Sequence, residues 1–146
     1  MGQYNADSVH KRIDFAQYTF RLYPSSFDDL QFPIVVYSRD GVIAGANRYF
    51  RNIAEITLED IQLEKLNIFD YLDDKNAVLI EAAHNAFDGE EKVYEDIGCA
   101  LRAEPGTVKY LQLADYPNAI FFPMAYDRGE IRLGAVLLDM KETDND

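Results

Sequence analysis

The sequence predicts an α+β fold in which an antiparallel sheet is covered by helices on one face. Two observations, a change of apolar period along the chain and a turn motif, indicate this fold class. Apolar residues recur with a helical period over residues 7–23 and in short segments up to residue 87, and then with the two-residue period of strands from residue 93 onward. An Asp-Gly pair at residues 40–41, between two apolar runs, predicts a hairpin ahead of the short helices.

The N-terminal segment, residues 7–23, is predicted to form an amphipathic helix. Pro24 follows it and ends it, because the residue before a proline avoids helical geometry. Five apolar residues repeat at the +4, +3 spacing of a coiled-coil seam: Val9, Ile13, Ala16, Phe20 and Tyr23. This stripe can pack on the sheet of its own chain or form a dimer interface with a second copy, and the sequence leaves both open.

The hairpin consists of strands at residues 34–37 and 42–46, and short helices follow it. Asn47 is a good N-cap for a helix over residues 48–55, and Thr57 for a turn over residues 58–61. A short piece over residues 68–72 precedes a longer helix, residues 75–87. The buried stripe predicted for the longer helix contains Val78, Leu79, Ala82, Ala83 and Ala86, and Asp88-Gly89 ends it.

Strands fill the rest of the chain, at residues 93–101, 108–114, 119–126 and 131–140. In the first of them, alternation places Val93, Glu95, Ile97, Cys99 and Leu101 on one face. A carboxylate on an apolar face needs a partner or water, so Glu95 is either solvated near the strand end or a polar contact at a pocket rim. The last strand is apolar on both faces, which is typical of a central strand covered on both sides.

Charge and composition exclude several classes of function. The chain has 146 residues, one domain's worth, and a net charge of −12 from 26 acidic and 14 basic residues. Such acidity disfavours nucleic acid and anionic membranes as partners. Residues 1–23, with three basic and two acidic residues, are the one segment that is not acidic.

Cysteine content and hydropathy lead us to expect a cytoplasmic protein. Cys99 is the single cysteine, so no intrachain disulfide can form. No apolar run approaches the about 18 residues of a membrane span, and the N-terminus has no signal-peptide apolar region.

Five short motifs in this order resemble the PAS domain, a sensor module of signalling proteins. The resemblance covers residues 32–143, and the motifs in order are PIVVYSRDGVI at 33–43, ANRYF at 46–50, NIFDYLDD at 67–74, DGE at 88–90, and Pro123, Gly129 and Gly134 leading to DMKE at 139–142. In the last motif Met140 and Lys141 replace the family's Ile and Thr. The stretch 108–126 is longer than one strand of such a domain, which indicates a bulge, an inserted loop or an additional strand.

The resemblance implies a five-stranded antiparallel sheet with an apolar ligand pocket between sheet and helices. It divides the chain into an N-terminal helical segment (1–31), a sensor domain (32–143) and a polar tail (144–146). It also implies a non-enzymatic module that forms a homodimer and relays its signal through the N-terminal helix and the last strand. The chain is then either a fragment of a larger signalling protein with an output domain, or a protein that acts alone by binding a partner. The residues that would line the pocket are Phe50, Ile53, Phe69, Leu79, Ala83, Ile97, Cys99 and Leu101.

The ligand is unknown, and neither haem nor flavin is expected. Some relatives hold haem through a histidine on the long helix, but His84 has an ambiguous phase there and we expect a surface residue. The Asn-Cys-Arg motif of flavin-binding light sensors is absent, and we expect Cys99 to be a buried, inert thiol.

The sequence leaves two alternatives to a ligand-binding sensor. One is a PAS module that dimerises without any ligand. The other is a small enzyme shaped like ketosteroid isomerase, with Glu95 or Asp96 as its acid. A hairpin that precedes the main helices argues against the enzyme, and no catalytic motif or metal-ligand spacing is present.

Overall fold

The computed structural model describes residues 6–72, 77–95, 97, 101–102 and 116–139. Five helices form over these residues: α1 (Ala6–Leu22), α2 (Pro24–Asp28), α3 (Arg48–Ala54), α4 (Leu58–Glu64) and α5 (Ala77–Asn85). Two 3₁₀ turns, Ile68–Asp70 and Ala86–Asp88, flank α5. The strands are β1 (Ile34–Tyr37), β2 (Ile43–Ala46), β3 (Lys92–Tyr94), β4 (Asn118–Asp127) and β5 (Glu130–Asp139).

The five strands form one antiparallel sheet in the order β2-β1-β5-β4-β3. This confirms the α+β prediction and the five-stranded antiparallel sheet that the resemblance implies. β5 lies in the centre, and every residue from Gly134 to Asp139 is buried. The prediction of a last strand that is covered on both faces is therefore correct.

Alternation along β1 divides the core into two clusters. Val35 and Tyr37 point into a cluster on the side of α3, α4 and α5, which we call the helix-side cluster. Ile34 and Val36 point into a second cluster on the opposite face, where α1 lies. All four residues of β1 are buried because each face of the sheet has its own cover.

The stripe of α1 packs on the sheet of its own chain. Val9, Ile13 and Ala16 are buried in the second cluster, and Phe20 packs partly buried against it. Tyr23 lies beyond the helix end and is 53% exposed, so the predicted stripe ends before it.

Polar contacts also join α1 to the sheet. Arg12 forms an ion pair with Asp139, the last residue of β5. Gln17 donates from Nε2 to the carbonyl oxygen of Pro123 in β4 at 2.6 Å. His10 Nδ1 lies 3.2 Å from a carboxylate oxygen of Glu91. These contacts connect the first element of the chain with the last two strands and with the residue that precedes β3.

Asn47 connects the segment before β1 with β1 and α3, and it is fully buried. Its Oδ1 accepts from the backbone N–H of Ile34 at 3.1 Å and of Phe50 at 3.2 Å. Its Nδ2 donates to the carbonyl oxygens of Phe32 at 2.7 Å and Leu30 at 3.4 Å. The predicted N-cap is thus confirmed, with a tertiary role that the capping pattern did not show.

The hairpin turn closes as its Asp-Gly pair predicts. The N–H of Gly41 donates to the carbonyl oxygen of Ser38 at 2.8 Å, and Gly41 has a φ of +89°. A Cβ at Gly41 would lie 2.5 Å from the ring of Phe69. Glycine is required here both for the positive φ and for the close approach of that ring.

One predicted element boundary, the end of β3, is wrong, and so is the predicted burial of Val78. β3 ends at Tyr94 rather than continuing to residue 101, since it pairs with β4 only over three residues, from Lys92 to Tyr94. Val78 is 52% exposed, because the buried face of α5 is formed by Leu79, Ala82 and Ala83. α2 begins at Pro24, since proline is well suited to a first helical position.

The long stretch 108–126 is described only in its second part. Its residues 118–126 belong to the single strand β4, which contains bulges between Pro123 and Ala125 and between Ala125 and Tyr126. The predicted strand at 108–114 lies outside the described residues, as do the N-terminal residues of the predicted helix 75–87.

Removal of the Asn47 side chain should strongly destabilise the fold. We expect Asn47→Ala to lower the free energy of unfolding by about 3 kcal/mol, because buried N–H and C=O groups lose their partners. Urea denaturation measures the change, and Asn52→Ala, at an exposed position on the same helix, is the control. Equal, small losses for the two variants would contradict the role given to Asn47.

An ion-pair cluster joins α2 to α3. Arg51 donates to both carboxylate oxygens of Asp28, at 2.6 and 3.4 Å, and Arg48 Nη2 lies 3.3 Å from Asp28 Oδ2. The hydrogen bond from Arg51 is the main cause that holds the pKa of Asp28 below its ordinary value of 3.8. The ionised Asp28 therefore favours the folded state.

This stabilisation should depend on pH. Because the pKa of Asp28 is lower in the folded chain, its contribution is present above pH 3.8 and is lost as the pH falls through the folded-state pKa. We expect Asp28→Asn to reduce stability at pH 7 and to flatten the acid limb of a stability–pH curve below about pH 4. Asp29→Asn, in which the more exposed partner of Arg48 is changed, is the matched control. An unchanged acid limb in Asp28→Asn would contradict this assignment.

Candidate functional site

The candidate ligand site lies in the helix-side cluster, between the sheet and α3, α4 and α5. The structure brings seven of the eight predicted pocket residues together there. Phe50, Leu79, Ala83 and Leu101 are buried in the cluster, and Ile53, Phe69 and Ile97 pack partly buried against it. Cys99 lies outside the described residues.

Residues far apart in sequence reach this cluster through backbone contacts. Leu101 forms an antiparallel bridge with Leu72, and the N–H of Arg102 donates to the carbonyl oxygen of Tyr71 at 2.6 Å. The N–H of Ile97 donates to the carbonyl oxygen of Pro117 at 2.8 Å. These contacts, rather than continuation of β3, place Ile97 and Leu101 beside the helices.

Glu95 lies outside β3 and is exposed. The alternation that placed it on an apolar face applied to a strand over 93–101, and β3 ends one residue before Glu95. Its carboxylate is therefore in water near the strand end, which is one of the two alternatives that the sequence left open.

Tyr37 is the hydrogen-bonding side chain that joins the sheet to the helices across the cluster. It is fully buried, and its hydroxyl donates to the carbonyl oxygen of Ala83 on α5 at 2.8 Å. Burial raises the pKa of this phenol above its ordinary range. Its ring contacts that of Phe87 edge to face, with centroids 5.8 Å apart.

Tyr37 requires the absence of a side chain on β5. Gly134 is its cross-strand partner, and a Cβ there would lie 3.1 Å from the Tyr37 ring and hydroxyl and 3.2 Å from the ring of Phe87. The ring occupies the space over Gly134, so the small residue and the large one form one packing unit.

Tyr71 is a second buried phenol in the cluster. Its ring contacts Phe50 edge to face at 6.4 Å. Burial is the main cause that raises its pKa to about 12, and Asp60, Asp70 and Glu64 raise it further. Neither Tyr71 nor Tyr37 was among the predicted pocket residues, although the alternation Val35, Tyr37 in β1 does place Tyr37 on the helix side.

Aromatic and charged side chains lie at the margin of the cluster. His84 is exposed and stacks on Phe69, with centroids 4.5 Å apart and an interplanar angle of 22°. The guanidinium carbon of Arg39 lies 4.9 Å from the centre of the Phe87 ring. His84 is therefore a surface residue, as expected.

The helix-side cluster consists mostly of carbon side chains, and it also contains the buried phenols of Tyr37 and Tyr71. A site for a small uncharged molecule would need this combination of apolar side chains and a few polar groups. Over the residues that the structure describes, no three metal-ligating side chains come together. None of the described helices is long and apolar enough to cross a bilayer.

Comparison with known proteins identifies the fold. A sensory box sensor histidine kinase from Vibrio cholerae is 19% identical, with a TM-score of 0.54 over 86% of this chain and 95% of that chain. A variant PAS-B domain of Cycle from Drosophila melanogaster, with bound glycerol, is 9% identical, with a TM-score of 0.51 over 74% and 98% of the two chains. No family model matches the sequence, and no curated protein matches it.

The class that these features define is an α+β module with one five-stranded antiparallel sheet and an apolar cluster under short helices. More particularly, the chain has the PAS fold, as the motifs in its sequence indicated.

A methyl group at Gly134 should disturb the site. We expect Gly134→Ala to lower the free energy of unfolding by about 2 kcal/mol, because Tyr37 and Phe87 must move to admit the new atom. Gly45→Ala is the matched control, since a Cβ at that strand glycine has no heavy atom within 4 Å. Thermal denaturation of both variants compares them, and equal melting temperatures would contradict the packing of Tyr37 over Gly134.

Proposed function

We propose that this chain is a sensor domain of a cytoplasmic signal-transduction protein, without enzymatic activity of its own. In this proposal residues 32–143 are the sensor domain and residues 1–31 are its helical segment. The observation that carries the proposal is the helix-side cluster, where seven of the eight predicted pocket residues lie around the hydrogen bond from Tyr37 to Ala83. An apolar molecule bound there would be enclosed by the sheet and the short helices.

A ligand in this position would act on the contacts of β5. A molecule that enters between sheet and helices changes the space available to Tyr37 and α5. Tyr37 rests on Gly134 of β5, and β5 ends at Asp139, which is paired with Arg12 of α1. Ligand binding would therefore alter how firmly α1 and the end of β5 are held, and these are the two segments that we propose to carry the signal.

We further propose that the domain functions as a homodimer. Val9, Ile13 and Ala16 are buried within the chain and are thus not free for a dimer interface while α1 lies on the sheet. α1 nevertheless leaves a different apolar face exposed, which contains Phe15, Tyr18 and Leu22. A dimerisation module that binds no ligand is the alternative, and one experiment separates the two.

Native mass spectrometry of the purified protein tests ligand binding and dimer formation together. We expect a dimer that carries an additional small mass in each chain, and an absorbance spectrum without haem or flavin bands. Ile53→Phe, which adds bulk beside the cluster, should reduce the occupancy by about tenfold through steric exclusion.

Leu63→Phe is the matched control, because Leu63 is 73% exposed and the same type of change there does not reach the cluster. A dimer without any additional mass, in the wild type and in both variants, would favour the ligand-free dimerisation module. Equal ligand occupancy in the two variants would show that the ligand does not bind in the helix-side cluster.

A further inference from the structure

α1 carries a second apolar stripe, on the face opposite to the one that packs on the sheet. Phe15, Tyr18 and Leu22 are 54, 47 and 48% exposed. They follow one another at +3 and +4, which aligns them along one side of a helix. The other large exposed hydrophobic residues of α3 to α5 and of the hairpin occur singly, so this stripe is the concentrated patch on the described surface.

The spacing of this stripe is that of a coiled-coil seam. With Phe15 and Leu22 in the a positions and Tyr18 in the d position between them, Asp14 and Arg21 both occupy g positions. Both side chains are exposed, and neither forms an ion pair with another residue in the described part of the chain. The seam is therefore bordered on one side by an acid and a base, seven residues apart.

The orientation of a helix pair determines whether these charges meet. In a parallel pair, each a residue faces its own copy and each g position lies beside an e position of the partner. Asp14 and Arg21 would then have no oppositely charged neighbour, since the e position between them is Thr19. In an antiparallel pair, a faces d, and the g positions of the two helices lie beside each other.

We propose that α1 pairs with α1 of a second copy in an antiparallel orientation. Phe15 packs against Tyr18 of the second copy and Tyr18 against its Phe15, while Asp14 pairs with Arg21 of that copy, and Arg21 with its Asp14. In this register Leu22 lies opposite Lys11 of the second copy, the d residue one heptad before Tyr18, and packs on the carbon chain of that side chain. This inference rests on the proposed homodimer and adds its interface, orientation and register.

Symmetry and charge favour a second copy as the occupant of this surface. A two-fold interface must be complementary to itself. The order acid, aromatic, aromatic, base meets this condition in an antiparallel pair, because each aromatic residue then faces an aromatic residue and each acid faces a base. The chain has a net charge of −12, while residues 1–23 have three basic and two acidic residues. Two copies therefore approach each other with least repulsion through this segment.

A groove beside the stripe provides room for the partner. It has a volume of about 580 Å³ and lies between α1 and the bulged end of β4. Tyr18 and Arg21 border it on α1, Tyr126 borders it on β4, and Met124 is part of its lining. Tyr126 is 59% exposed, so a side chain from the second helix that enters the groove covers an aromatic ring that water now contacts.

Disulfide trapping tests the orientation. In a Cys99→Ser background, Phe15→Cys and Tyr18→Cys proteins are prepared separately and as a mixture, and mild oxidation is followed by non-reducing electrophoresis. The antiparallel pair predicts a disulfide-linked dimer that contains one chain of each variant, with little self-linking of either variant. Strong self-linking of both variants indicates a parallel pair and overturns the proposal.

Charge exchange tests the register. We expect Asp14→Arg and Arg21→Asp each to raise the dissociation constant of the dimer by about tenfold, because like charges then face each other twice. The double variant restores oppositely charged pairs and should dissociate like the wild type. Glu81→Arg, at an exposed position on α5, is the control for a change of net charge alone.

The outcomes distinguish this inference from the proposed function. A double variant that dissociates as readily as the single variants overturns the register. A wild-type dimer that gives no mixed disulfide overturns the α1 interface but leaves the proposed homodimer in place. A wild-type protein that is monomeric in analytical ultracentrifugation at every concentration overturns both the interface and the homodimer, while ligand binding is still measured independently.

Discussion

The side chain of Asn47 is fully buried and makes four hydrogen bonds, each to a different backbone group. The segment after α2, the first residue of β1 and the first turn of α3 all depend on this one amide. Because a buried amide costs free energy unless each end is paired, the three segments can adopt only the arrangement that pairs it. The start of β1 and the start of α3 are therefore positioned together.

Tyr37 is the second buried polar side chain that joins β1 to the helical layer. Its hydroxyl reaches α5, its ring covers Gly134, and Phe87 closes over it from the turn after α5. A hydrogen bond in a low-dielectric interior is strong, yet its hydroxyl has only one partner in the contacts described. The hydroxyl and the ring together hold α5 and the turn after it against the sheet.

α1 has two apolar faces with different uses. The face with Val9, Ile13 and Ala16 completes the core on the second side of the sheet. The face with Phe15, Tyr18 and Leu22 is exposed and carries the proposed contact with a second copy. Since Arg12 on the same helix is paired with Asp139, the position of α1 is coupled to the end of the last strand.

Local patterns in the sequence predicted most of the elements. The Asp-Gly turn, the Asn47 and Thr57 caps and the apolar strands involve neighbouring residues, so their geometry follows from short-range sterics and hydrogen bonding. Seven of the eight predicted pocket residues lie in one cluster for a similar reason, because periodicity identifies which side of an element is apolar. Periodicity failed for residues 95, 97 and 101, because pairing with β4 ends after Tyr94 and tertiary contacts determine where Ile97 and Leu101 lie.

The sequence by itself determined the α+β class, the order of the elements and the amphipathic character of α1, since all of these depend on residues within a few positions of each other. Only the tertiary structure decided that the stripe with Val9, Ile13 and Ala16 packs on the sheet of its own chain rather than on a second copy. The choice depends on the fit of these side chains to the surface formed by β1, β4 and β5, which lies far away in the sequence. It also decided that Tyr37 spans the cluster, because its partners Ala83 and Gly134 lie 46 and 97 residues away in the chain and meet it only when the sheet and α5 pack together.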